Sequence, residues 1–100
     1  MRKNLEVRFL RPAEVDISEA VDFLLEQNIR AAEKFLRKID EAVSKIRRFP
    51  LLGKRLDEKF ISKQIRFVVI EEYLLFYSIE EETILIHRII HSARDYKQLL

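Results

Sequence analysis

Three arginines, two histidines and a tyrosine in the second half of the chain have the side chains to do chemistry. Arg66 interrupts an apolar run between Ile65 and Phe67, and Arg88 does the same between His87 and Ile89. A guanidinium emerging from a sheet face is costly to leave unpaired, so each needs an anion. That anion is either an internal carboxylate, Asp95 or a surface glutamate, or the phosphate or carboxylate of a partner, which arginine's planar fork suits. For Arg66 both readings stand; Arg94 is expected to pair with its neighbour Asp95. His91, where an apolar run meets the polar cluster Ser92-Ala93-Arg94-Asp95-Tyr96, has the chemistry of a general acid or base. A histidine at such a place more often hydrogen-bonds a carbonyl or a carboxylate such as Asp95. His87 lies four residues away, roughly 13 Å along a strand at 3.3 Å per residue, too far to share a metal ion. Tyr96 packs, stacks on a base or donates a proton, and packing is the commonest of these.

A rigid strand end would hold these groups in fixed directions, whereas a free tail would leave them a diffuse charge. Thr83–Ile90 is apolar on both alternating faces over much of its length, which places it inside a sheet or under a helix. Ile65–Ile70 and Tyr73–Ile79 are rich in Ile, Val, Phe and Tyr, and the short links at Glu71-Glu72 and Glu80-Glu81-Glu82 require antiparallel neighbours. Leu5 to Arg8 alternates apolar and charged residues as a half-buried strand does. Pro12 suits the first turn of a helix carrying Ala13, Ile17, Ala20, Val21 and Leu24 on one stripe. After Asn28, a helix cap, the apolar residues Ala32, Phe35, Leu36, Ile39, Ala42, Val43, Ile46 and Phe49 recur at spacings of three and four up to Pro50. Leu51 to Leu56 reads as a turn or loop, and Ser92 with Asp95 as a weak capping box starting a short helix through Leu100. The expected fold is α+β: a helical hairpin on a mostly antiparallel four-stranded sheet in the order β-α-α-β-β-β, one domain over residues 1–100.

The composition narrows the possibilities further. With 48% hydrophobic residues, 1 glycine and 2 prolines, the chain is suited to a packed core. A core of this size is thin, so a partner covering exposed apolar surface is part of the expectation. There is no cysteine, hence no disulfide or thiolate metal site, and no apolar run near the roughly 20 residues of a membrane span. A cytoplasmic protein without membrane contact or cofactor is expected. The net charge of +2 conceals blocks: residues 12–26 and 70–82 each hold five acids and no lysine or arginine, and the remaining segments are basic. Such blocks are usually solvated faces; brought together they would engage nucleic acid or an acidic protein. No glycine-rich phosphate loop, Ser-His-Asp order or paired-carboxylate motif is present.

Four stretches taken in order, Arg47-Arg48-Phe49-Pro50-Leu51-Leu52-Gly53-Lys54, Ile65-Arg66, Tyr73-Leu74-Leu75-Phe76-Tyr77 and Arg88-Ile89-Ile90-His91-Ser92-Ala93-Arg94-Asp95, resemble the ParE/RelE superfamily of toxins from type II toxin–antitoxin modules. The resemblance runs over nearly the whole chain. It implies a toxin neutralised by a small cognate antitoxin whose C-terminal segment wraps its helices and sheet, with operator DNA bound only through that antitoxin. Within the superfamily, ParE-like members trap DNA gyrase on cleaved DNA without chemistry of their own, and RelE-like members cut mRNA on the ribosome. The corner from His91 to Asp95 and the Ile65-Arg66 spacing look closer to ParE, so the resemblance implies gyrase as the target and leans toward a binding inhibitor, leaving open a ribosome-dependent endoribonuclease. On the RelE-like alternative, Arg66, His91 and Tyr96 supply a phosphate clamp, an acid–base group and a proton donor or stacking ring. A scaffold that only binds its antitoxin is a third reading. In every case Arg66, Arg88, His91, Arg94 and Tyr96 are the expected rim against which target or partner docks.

Overall fold

A computed structural model describes residues 5–56 and 64–100. Strand β1 (Glu6–Phe9) leads into helix α1 (Arg11–Gln27), which turns at Asn28 into helix α2 (Ile29–Arg48). Strands β2 (Lys54–Arg55), β3 (Arg66–Ile70), β4 (Tyr73–Glu80) and β5 (Thr83–His91) follow, and the chain ends in a single 3-10 turn at Tyr96–Gln98. Asn28 serves both helices. Its backbone N–H closes α1 on the Leu24 carbonyl, and its side-chain oxygen accepts the Ala31 N–H at 2.8 Å to open α2. One residue between helices forces an antiparallel hairpin.

The sheet has five strands in the order β1-β5-β4-β3-β2, with β1 parallel to β5 and every other pair antiparallel. The expected count of four is corrected by β2, which pairs Lys54 with Phe67 and Arg55 with Arg66. Two exposed charged residues carry no alternation, so nothing in their sequence separates them from a loop. The expected terminal helix is likewise reduced to three residues, because Asp95 gives it no side-chain cap.

As the apolar run required, β5 lies inside the sheet, and it feeds two cores. On the helix-bearing face Leu75, Tyr77, Ile84, Ile86 and Ile89 pack with Ala13, Phe35, Ile39 and Ile46 of the hairpin; on the other face Phe76, Ile90 and Ile65 pack with Phe67, Tyr96 and Leu99. A register shift opposite Phe76/Tyr77 pairs Phe76 with Arg88 but Tyr77 with Ile86, leaving His87 as the extra residue of a bulge. The bulge resets the alternation of β5, turning Ile89 and His91 toward the helices and Ile90 away from them.

Candidate functional site

The strand ladders fix where the expected rim residues lie. Arg66 pairs with Tyr77, and Tyr73 with His91. Paired residues share a face, so Arg66 and His91 both belong to the helix-bearing side. They are separated by the four residues from Tyr73 to Tyr77, roughly 13 Å along the strands, and by two strand spacings across them. Tyr96 lies on the opposite side, its ring 5.3 Å from that of Phe76. The three groups that a phosphate-cleaving site would combine are therefore not brought together.

Arg66 anchors a loop. Its Nη1 donates to the Gly53 carbonyl at 2.8 Å and the Leu51 carbonyl at 3.3 Å. Beside it the buried Tyr77 hydroxyl donates to the Pro50 carbonyl at 2.7 Å and accepts the Gly53 N–H at 2.8 Å. Burial pushes the Tyr77 phenol up from its ordinary range, against the opposing effects of the Gly53 N–H and the Arg66 charge. The loop lies so close to the ring that a Cβ on Gly53 would stand 2.7 Å from Tyr77 and 2.9 Å from the Phe67 carbonyl. This approach is why the chain's one glycine sits there.

Arg88 is spent inside the molecule. Its Nε and Nη2 donate to the two oxygens of Asp16 at 2.7 and 2.8 Å, and its Nη1 donates to the Leu99 carbonyl at 3.0 Å. Asp16 also accepts the Ile89 N–H at 2.9 Å, so a carboxylate from α1 completes the edge of β5 beyond the reach of β1. Hydrogen bonding to Asp16 outweighs burial and raises the Arg88 pKa further. Sequence reasoning missed Asp16 by placing it in a solvated acidic block. The signal was its spacing, three residues after Ala13 and four before Ala20, both buried in the same helix.

His91 sits at the other end of the sheet. Its Nδ1 accepts the Ala93 N–H at 3.1 Å, which puts the ring proton on Nε2, 3.3 Å from the exposed Glu72 carboxylate. Glu72 thus takes the place expected of Asp95. The ring also meets Tyr73 edge-on at 5.2 Å. Arg94 is exposed and, among the described residues, forms no ion pair with Asp95, which corrects that expectation. His91, Tyr73 and Phe23 line two adjoining clefts, of about 500 Å³ toward Phe35, Lys34 and Glu72 and about 350 Å³ toward Glu19 and Arg94. His87 is turned to the other face, where its Nε2 lies 2.7 Å from the Ser78 hydroxyl. Among the described residues no three His, Asp or Glu are grouped to hold a metal ion, and no helix is long and apolar enough to cross a membrane.

Comparison with known proteins places this arrangement. The sequence model of a family described as the ParE toxin of type II toxin–antitoxin system, parDE, matches residues 7–96. The fold is similar to a chain of the chromosomal ParDE TA system from P. aeruginosa, at 18% identity and a TM-score of 0.69, covering 88% of this chain and 96% of that one. It is also similar to the YoeB dimer from Staphylococcus aureus, at 24% identity and a TM-score of 0.64, covering 89% and 98%. At these identities the two structural likenesses concern the fold alone. No curated protein matches in sequence.

Proposed function

This chain belongs to the ParE toxin family of type II toxin–antitoxin systems, and from that premise we propose that it arrests growth by binding DNA gyrase in the cytoplasm. A cognate antitoxin holds it inactive, and any operator DNA is contacted through that antitoxin. The observation that supports a binding toxin over a ribosome-dependent nuclease is the dispersal of Arg66, His91 and Tyr96. Cleavage at a phosphate needs a cation, an acid–base group and the reacting atoms within hydrogen-bond reach of one another. Here Arg66 is engaged with two carbonyls, both ring nitrogens of His91 are engaged, and Tyr96 packs on the far face. The adjoining clefts around Phe23, Tyr73 and His91 offer the antitoxin an apolar floor with mixed charge at the rim.

The test is to incubate the purified chain with gyrase, ATP and supercoiled plasmid. Accumulation of linear DNA or loss of supercoiling, reversed by the product of the adjoining reading frame, is the expected result. Untouched plasmid together with mRNA cut on translating ribosomes would replace gyrase by the ribosome. Unimpaired growth of cells expressing folded chain without antitoxin would leave only the scaffold reading.

A further inference from the structure

The loop that Arg66 and Tyr77 hold down has its apolar side chains on the outside. Phe49, Leu51 and Leu52 are 59%, 65% and 51% exposed, and Leu52 lines one cleft with Val69, which is 67% exposed on β3. Isolated exposed leucines are ordinary, but three large apolar residues within four positions form a patch. The patch is also rigid. Pro50 and Gly53 are buried, the two sheet side chains make four hydrogen bonds to loop backbone, and the Leu52 N–H closes a turn on the Phe49 carbonyl at 2.9 Å. A loop ordered in advance loses little entropy on binding. The segment itself carries one sign: from Arg47 to Arg55 there are four cations and no acid, and Arg48 and Lys54 are exposed on either side of the leucines, while Glu41 and Glu71 stand with Lys38 and Lys45 along the cleft beside Leu52.

We infer that this loop is the element by which the toxin docks on its protein target, inserting Leu51 and Leu52 into an apolar pocket ringed by carboxylates. The inference rests on the gyrase reading above. The exposed, aliphatic knuckle suits a protein pocket, which would bury the leucines while acids around it pair with Arg48 and Lys54. A nucleic acid would use the cations and leave the leucines in water.

The experiment compares wild type, L51S/L52S and R48E/K54E for binding to purified gyrase and for inhibition of supercoiling, with antitoxin affinity measured in parallel. Because Leu51 and Leu52 are exposed, thermal unfolding of L51S/L52S should match wild type, and R48E/K54E should melt slightly lower, since Arg48 stands in the last turn of α2, where a cation suits the helix dipole. L51S/L52S is expected to weaken gyrase binding at least about tenfold with antitoxin affinity unchanged. R48E/K54E should lose a smaller factor that shrinks as salt is raised. Wild-type gyrase affinity in L51S/L52S overturns this inference alone. So does an equal loss of antitoxin affinity, or wild-type binding to a DNA oligonucleotide that only R48E/K54E abolishes. A wild-type chain that neither binds nor inhibits gyrase overturns the functional reading and this inference with it.

Discussion

Arg66 and Arg88 look alike in the sequence, each a single cation set into an apolar strand, and the fold treats them in opposite ways. Arg88 meets a buried carboxylate, and the pair ties α1 to β5 and to the C-terminal residues. Among the described residues Arg66 meets no carboxylate; it and Tyr77 instead hold the backbone of the loop that precedes β2. One arginine stabilises the fold and the other fixes the shape of a surface. The contrast arises from position: Arg88 lies where β1 has ended and a helix side chain can reach the exposed strand edge, whereas Arg66 starts β3, next to the two-residue edge strand β2 and the turn that leads into it.

The comparison is broken most severely by Arg88→Ala. It leaves Asp16 buried without its counter-ion, and a loss of about 3–5 kcal/mol is expected in urea unfolding. For a domain with about 5–15 kcal/mol in total, that brings the chain close to unfolding. The double variant Asp16→Leu with Arg88→Met removes both charges and should recover most of the loss. Recovery should stop short of wild type, because Ile89 then keeps a buried N–H without an acceptor, worth about 1–3 kcal/mol.

Tyr77→Phe comes next, at about 1–3 kcal/mol, since the Gly53 N–H and the Pro50 carbonyl both lose their partner. Its pH dependence identifies the cause. The Tyr77 pKa is raised in the folded state, so its contribution is fully present below the unfolded tyrosine value of about 10 and is lost as pH rises toward the folded one. Tyr77→Phe should flatten the alkaline fall in stability. A shallower fall should remain from Tyr73, whose pKa is raised by burial and by Glu72. Arg66→Ala should cost less, about 1 kcal/mol, because its carbonyls lie nearer solvent. Amide exchange at Leu52 and Gly53 should nevertheless accelerate more than the stability change explains, as expected if Arg66 serves the loop.

How much of this was legible follows from what each pattern can encode. The helical hairpin was legible because the second helix carries eight apolar residues at regular spacing, and the interior place of β5 because its run is apolar on both faces. That same double-sided run hid the bulge: with no polar face, alternation cannot reveal where the register slips. Arg66 and Arg88 were each seen to need an anion, yet sequence could not show that carbonyls would satisfy one of them. Asp16 was concealed by its acidic neighbours, and the dispersal of His91, Arg66 and Tyr96 depends on strand order, which short turns leave open.

The smallest effect is expected at the far end of the sheet, where His91 bonds an 82% exposed Glu72 side chain. His91→Ala removes a surface contact of about 0–1 kcal/mol, so unfolding should hardly change. Function should discriminate more sharply. If the clefts around His91 receive the antitoxin, the substitution trims a wall shared by both and weakens antitoxin binding while gyrase inhibition by the free toxin persists. Titration of the antitoxin against wild-type and His91→Ala toxin in the supercoiling assay measures both at once. Lost inhibition with intact antitoxin binding would move target recognition from the braced loop to the histidine corner, because a residue that contributes so little to folding can then be acting only through the target.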